Sequence, residues 1–535
     1  MASFVERLKH YNDAAYPALW IQTFEEARIT KEITSGMFRK PTAGDPGCRV
    51  FQWDSQDGLT ERTDGRVKEY KDTDDPIKLF KQIKALVANE PSVNIFILKD
   101  FHLQFTKPLK HIDYIRAFKN ILEILKVHGN MVLITAPVVK IPTELQKDIQ
   151  LIDYQLPNTE SIATKLTEVA NEVNQSRKGK DKIELDDSVK EASIEAAKGM
   201  TASEIENAFA FAIVENKAFN ASFVKSVFNE KILQVKKGGM LNHIETDVSF
   251  DNVGGLDGIK RWVQTRKNAF SKEARDYGLP YPKGLGLAGI AGCGKTLISK
   301  AIANEFRFPL FQLDLGGLFS KYVGETEGNF IQMTKTVDSI GRCVILIDEI
   351  EKYLNVSATS GAGDSGTSSR SFGTLLSWLS DRNNPAFVIF TSNNHLALPV
   401  ELIRKGRFDE LFWIDLPDER ERRDVINVVI NKFKRNVSKF DINELVRRTA
   451  DFTGAEIDNV FKDAMFAAFS EGKEVDQSYL VKEIMALTPQ SKINAEAIEA
   501  MRARVEGRLK PAVFNTSAKS YLTEVRKSKH NEYTG

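Results

Sequence analysis

The chain has 535 residues, with 74 Lys+Arg against 73 Asp+Glu and a formal net charge of +1. Hydrophobic residues make up 42% and charged residues 27%, an ordinary globular mixture, and the length predicts about three or four domains. Near-neutrality excludes whole-surface attraction to nucleic acid or anionic lipid and leaves only local patches. The three cysteines, Cys48, Cys293 and Cys343, are far apart, which excludes a disulfide framework and a CxxC zinc site and fits a reducing compartment. The start, MASFVERLKHYND, lacks the apolar core of a signal peptide. No run of about 18 apolar residues follows it. The expectation is a soluble multidomain protein of the cytoplasm or a plastid stroma, with no membrane partner.

In chain order, Ala18–Thr23, Asn94–Leu98 and Met131–Thr135 read as buried strands of a parallel sheet, with helical periodicity between them at Pro76–Ala88 and Ile112–Val127. This βαβα pattern predicts an α/β domain over 1–157. Helices take over across 158–236, interrupted by the polar run Asn174–Lys182, and Lys236-Lys237-Gly238-Gly239 reads as a linker. The plan then repeats. Strands at Leu285–Leu287, Leu310–Leu313, Val344–Ile347 and Phe387–Phe390 give a second α/β domain over 237–417. Helices follow over 418–490, then a C-terminal helix and basic tail over 491–535. The Gly/Ser-rich stretch Ser357–Ser371 is too polar to pack and reads as a mobile loop. The halves look like copies: Met200–Phe209 matches Phe452–Phe461 without a gap, Ile97–Asp100 resembles Ile345–Asp348, and Leu156-Pro157 closes the first sheet as Leu416-Pro417 closes the second.

The strongest motif is Gly289-Ile290-Ala291-Gly292-Cys293-Gly294-Lys295-Thr296, a complete GxxxxGKT between a strand and the helix that begins at Leu297. Its glycines let backbone N–H groups curl around phosphate oxygens, and the helix N-terminus adds a positive dipole. Lys295 is expected at the β/γ-phosphates of ATP, and the Thr296 hydroxyl on Mg²⁺. The strand Cys343–Ile347 ends in Asp348 and Glu349, read as metal holder and water-polarising base. Asn393 ends the next strand, where ligands of parallel sheets sit. It is expected on the γ-phosphate or the water. Arg404 and Arg407, in Glu401–Asp409, are candidates to stabilise charge on a transferring phosphoryl group.

These residues, in this order, resemble an AAA-type (AAA+) ATPase over about Val248–Lys473. The resemblance implies an ATP hydrolase with a P-loop α/β module and a helical lid. It also implies adenine-flanking contacts from Asn252, Val253 and Gly254, and lid contacts from Gly454 and Ala455. It assigns the sensor position to Asn393, and to Arg404 and Arg407 the role of fingers that reach a neighbouring subunit's ATP. A homo-oligomer follows, normally a hexameric ring. A narrower similarity, to the cyanobacterial and chloroplast AAA family named hypothetical chloroplast open reading frame forty-six, rests on Val253-Gly-Gly-Leu-Asp257, Ile347-Asp-Glu-Ile-Glu-Lys352, Leu402–Glu410 and Gly454-Ala-Glu-Ile457, and extends to about Ala512. Two features depart from the wider family. Pro399 stands where many AAA proteins carry an acidic residue, and Leu375–Leu379 lacks the Asp-Gly-Phe-type signal of protein unfoldases.

By the same resemblance the first half is a degenerate AAA-like module. Phe24-Glu25-Glu26-Ala27-Arg28 stands where a P-loop belongs, with no glycine to cradle phosphate and two carboxylates to repel it. Asp100 reads as the counterpart of Asp348, Phe101 as that of Glu349, and Pro137 as that of Asn393. A scaffold or partner-binding role is expected there. Tyr322 and Val323 fall where AAA translocases place pore residues that grip an extended polypeptide. The tail 501–535 holds eight Lys/Arg against three Glu, so it carries +5 and the remainder −4. Three functions stay open: ATP-driven remodelling of a protein partner, a nucleotide-dependent switch or scaffold, and an ATP-dependent nucleic-acid-associated protein that uses the tail.

Overall fold

The computed structural model describes every residue except 1–2, 41, 43–44, 64–65, 90–91, 108–109, 176–185, 238, 319–324, 354–364, 383, 395–397, 405, 506 and 514–535. The chain divides into two compact units, Met1–Lys231 and Ile232–Gly535.

The first unit holds a seven-stranded sheet. Its strands are β1 (Ala18–Gln22), β2 (Cys48–Asp54), β3 (Gly58–Thr63), β4 (Arg66–Tyr70), β5 (Val93–Lys99), β6 (Met131–Ala136) and β7 (Gln150–Asp153), in the spatial order β4-β3-β2-β5-β6-β1-β7. All neighbours are parallel except β2–β3 and β3–β4. Helix α1 (Phe4–Asp13) precedes β1, and α2 (Glu26–Met37) follows it. The buried Ile29, Ile33 and Met37 of α2 pack with Leu19, Ile21, Val50, Ile95 and Ile97 on one face of the sheet. Helices α3 (Pro76–Asn89) and α4 (His111–Val127) bury Leu79, Ile83, Phe118 and Leu122 on the other. The β3–β4 hairpin is absent from the sequence reading, because its charged, alternating strands carry no buried run. It is tied to β2 by a bidentate ion pair from Arg49 to Glu61 (2.7 and 2.6 Å), with the Tyr70 hydroxyl donating to Glu61 at 3.0 Å.

After β7 come α5 (Thr159–Gln175), α6 (Asp187–Ala197), α7 (Ala202–Asn216) and α8 (Ala221–Lys237). Thr201 caps α7 in a reciprocal capping box with Glu204, and Met200, Ile205 and Phe209 are buried behind it. The loop after β1 meets this helix through a carboxylate. Glu25 Oε1 accepts from the Ala202 N–H at 2.5 Å, and Oε2 takes Arg28 Nη1 at 2.7 Å, with the Glu25 side chain 4% exposed. A charged acceptor on a helix's first free N–H is favourable. Glu25→Ala should therefore lower the stability of this unit by about 2 kcal/mol, the scale of a hydrogen bond to a charged group, while Glu25→Gln retains the acceptor and most of that. Urea unfolding of the full chain, followed on its first transition, checks both.

In the second unit the strands are β8 (Leu241–Ile244), β9 (Gly284–Gly289), β10 (Leu310–Leu313), β11 (Cys343–Ile347), β12 (Ala386–Ser392), β13 (Glu410–Ile414) and β14 (Lys510–Pro511), in the order β14-β13-β9-β12-β11-β10-β8. Only β8 runs antiparallel to its neighbour. The expected linker is shorter than four residues, since Lys236 and Lys237 end α8 and β8 starts at Leu241. The polar stretch read as a mobile loop is partly helix. Residues 365–371 open the helix Ser365–Asp381, because Leu375, Leu376 and Leu379 recur at helical spacing and are buried. The rest of that stretch lies outside the described residues.

The two sheets share one five-strand core, β2-β5-β6-β1-β7 in the first and β10-β11-β12-β9-β13 in the second. Register aligns them. Gln22 lies opposite Ala136 and Asp153, as Ala288 lies opposite Ser392 and Trp413. On this frame Phe51-Gln52-Trp53-Asp54 matches Phe311-Gln312-Leu313-Asp314, a repeat that the sequence reading missed. The frame also moves one assignment. Lys99 is level with Thr135, and Asp348, one residue beyond the Ile347–Phe390 pair, is level with Thr391. Lys99 therefore takes the place of Asp348, and Asp100 that of Glu349, with matching left-handed φ values of 50° and 51°. Asp100 is not the counterpart of Asp348, because sequence similarity slips one position against the strand register.

The C-terminal segment is built into the second unit as far as Ala512. Ile498, Val505 and Ala512 join its core, and the Ala512 N–H donates to the Trp413 carbonyl at 3.0 Å. Two of the tail's basic residues are already paired there, Arg502 bidentate to Asp415 and Lys510 with Glu410.

Candidate nucleotide site

The residues of the GxxxxGKT motif join β9 to the helix Lys295–Phe306. A Cβ on Gly289 would lie 2.0 Å from the Ile414 carbonyl oxygen, so only glycine passes there. Gly292 has φ +79°, and a Cβ on it would meet the Thr453 hydroxyl at 3.0 Å and the Ala455 Cβ at 3.2 Å. That approach brings the loop onto the lid helix Gly454–Ser470, whose Ala455 N–H donates to the Gly292 carbonyl at 3.0 Å. Lys295 is 6% exposed, and its ammonium donates to the Gly289 and Ile290 carbonyls at 2.9 and 2.8 Å. Burial pulls its pKa down. Burial also pushes the Cys293 thiol up to about 12, leaving it a neutral packing group.

Thr391 links the two acidic residues. Its hydroxyl donates to Asp348 Oδ1 at 2.5 Å and accepts the Glu349 N–H at 2.9 Å, while the Thr296 hydroxyl lies 3.2 Å from the same Asp348 oxygen. Glu349 is turned by its left-handed φ. Asn393 Nδ2 donates to its Oε1 at 2.9 Å, and the Lys352 ammonium pairs with its Oε2. The Asn393 backbone N–H is in turn held by buried Glu351 at 2.9 Å. The sequence reading missed Thr391 and Glu351, whose only signal is adjacency to Asn393 and Glu349.

The same cavity measures about 890 Å³ and is also lined by Asn252, Val253, Gly254, Leu297, Gly454 and Ala455. A Cβ on Gly254 would lie 2.5 Å from the backbone nitrogen of Val425, so this strip of chain lies flat against the helix Glu419–Lys432. Buried Glu421 accepts the Leu256 N–H at 2.9 Å, and burial pushes its carboxyl up. Sequence reasoning missed Glu421 and Val425, because their partners lie far away along the chain.

Arg404 and Arg407 do not line this cavity. Arg407 is tied within its own unit, Nε donating to the Ser380 hydroxyl at 3.2 Å and Nη1 to the Glu401 carbonyl. Arg404 is exposed, with no partner among the described residues. The loop that carries both is pinned by Asp409, which accepts the Lys283 and Gly284 N–H groups at 2.7 and 2.9 Å. Tyr322 and Val323 lie outside the described residues.

The strand order, the glycine loop and the paired carboxylates together define an ATPase module of the AAA class. The family model "ATPase family associated with various cellular activities (AAA)" matches residues 285–416, and that of the AAA+ lid domain matches 439–481. The SpoVK-like AAA ATPase N-terminal domain model matches residues 4–154, and that of its second domain matches 161–238. The chain belongs to the ycf46 family of AAA domain-containing proteins. It is 33% identical to the uncharacterized ycf46 protein of Trieres chinensis over 93% of this chain and 96% of that one. The Guillardia theta ycf46 protein is likewise 33% identical, over 93% and 94%. The ATP-dependent zinc metalloprotease FtsH 2 of Methylacidiphilum infernorum is 30% identical over 44% of this chain and 38% of its own length. Among the described residues, no helix is long and apolar enough to cross a membrane.

Proposed function

We propose that the chain binds ATP with Mg²⁺ in the second unit's cavity and hydrolyses it as a ring oligomer, with turnover that remodels a protein partner. The observation that carries this reading is the pair Asp348 and Glu349 at the lysine end of a glycine loop, with Thr391 holding the carboxylate of the first and the backbone N–H of the second. In this reading the loop from Gly289 to Gly294 and the first turn, Lys295 to Leu297, surround the phosphates, and Asn252, Val253, Gly254, Gly454 and Ala455 flank adenine and ribose. Thr296 and Asp348 fit a hard cation, which takes oxygen ligands. Bound there, Mg²⁺ neutralises charge on the phosphate oxygens. Glu349 takes a proton from the attacking water, and Asn393 fixes the carboxylate that does so. Arg404 reaches the ATP of the next subunit, Arg407 holds its loop, and Tyr322 and Val323 grip the partner. The domain boundaries 1–157, 158–236, 237–417, 418–490 and 491–535 belong to the same proposal, as does work in the cytoplasm or a plastid stroma. The relative named an ATP-dependent metalloprotease supports the use of ATP. The nucleic-acid reading is weaker, because Arg502 and Lys510 are already paired.

The test is phosphate release by the purified chain in Mg-ATP. Release should stop in EDTA, and Lys295→Ala should weaken ATP affinity about 10–150-fold, the worth of one hydrogen bond to a charged group. A chain that never hydrolyses Mg-ATP, alone or with added protein substrates, overturns the proposal.

A further inference from the structure

At the same edge of its sheet, the first unit keeps a polar cavity of its own. It measures about 500 Å³ and lies between α2 and strands β2 and β5, lined by Thr30, Lys31, Thr34, Gln52 and Lys99. Thr30 is 9% exposed, and its hydroxyl, like that of Thr34, is buried without a hydrogen-bond partner. A helical threonine ordinarily bonds the carbonyl four residues back; these two, one turn apart on α2, do not. Gln52 is buried at the register place of Gln312. Lys99 occupies the register place of Asp348, so an ammonium stands where the second unit has a carboxylate for a cation.

Apart from the Ser35 hydroxyl, which donates to the Glu32 carbonyl, the lining offers two ammoniums, two unpartnered hydroxyls and a carboxamide, and no carboxylate. Glu26 lies near Lys99 but does not line the cavity; burial, followed by Asp100, pushes its carboxyl up, and Lys99 pulls it down. Five donor groups exceed what the two oxygens of a carboxylate take, and suit the several oxygens of a phosphate. With Phe24-Glu25-Glu26 in place of a glycine loop, no cradle exists for a triphosphate.

We infer that this cavity binds the phosphate group of a small molecule without a metal ion. It stands on the first unit alone and does not depend on ATP hydrolysis in the second. The probe is inorganic phosphate, measured by equilibrium dialysis in EDTA on the full chain carrying Lys295→Ala, which weakens phosphate binding in the other unit. One phosphate per chain should bind, and Lys99→Met or Thr30→Val added to that protein should weaken it at least tenfold. Thr30→Val is isosteric and removes a hydroxyl that has no partner. Its melting temperature without phosphate should be no lower than that of the parent, while the upward shift caused by phosphate disappears. No binding by the Lys295→Ala protein in EDTA, or binding that both added substitutions leave unchanged, overturns the inference.

Discussion

Glu349→Gln should leave ATP bound and slow its turnover by about 10²–10⁴-fold, the contribution of a positioned general base. The geometry isolates that role. The Glu349 backbone is held by the Thr391 hydroxyl, and its side chain by Asn393 at 2.9 Å. Glutamine keeps the size and one oxygen of the glutamate, so the Asn393 contact survives, but it has no basic oxygen to receive a proton. The other interaction lost is the ion pair with Lys352, whose side chain is 66% exposed, and exposed pairs contribute little. Steady-state phosphate release and filter binding of labelled ATP, side by side, read the two effects separately. Normal turnover in the variant removes Glu349 from the role of base.

Arg404→Ala should cost about 10³–10⁵ in turnover, the range for a finger that stabilises transferring phosphoryl charge, and leave ATP affinity nearly unchanged. Arg407→Ala should act differently. Its guanidinium is spent on Ser380 and Glu401, so its loss should loosen the loop and lower turnover less. The two arginines look equivalent in sequence; exposure and partners separate them. Mixing gives the decisive form of the test. In a ring of Arg404→Ala and Glu349→Gln chains, some sites combine an intact Glu349 with an intact neighbouring Arg404, so activity should return. If mixing restores none, the arginine does not act between subunits.

The second unit's site was legible because most of its chemistry lies in short contiguous motifs: the glycine loop, Ile347-Asp348-Glu349 and the strand ending at Asn393. Residues that act through distant contacts were not. Glu421 meets the Leu256 N–H across 165 positions, and Thr391 is read as one more polar strand residue until its hydroxyl is seen between the Asp348 carboxylate and the Glu349 backbone N–H. In the folds, buried apolar strands such as β5 and β6 were plain. The β3–β4 hairpin and the paired segment Lys510–Pro511 were not, because edge strands bury no continuous apolar run. The Lys99/Asp100 shift has a related cause. Similar letters in two strands do not fix which residues are level across the sheet, whereas hydrogen-bonded register does.

Two copies of one plan share the chain, and only the second is expected to handle nucleotide. The number of ATP molecules bound per chain by the Glu349→Gln protein in Mg²⁺ decides this, counted by equilibrium dialysis at the free ATP that just fills its site, with and without Lys295→Ala at that same free ATP. One per chain, lost with Lys295→Ala, is the expected result. Two per chain, or one that survives Lys295→Ala, would contradict it.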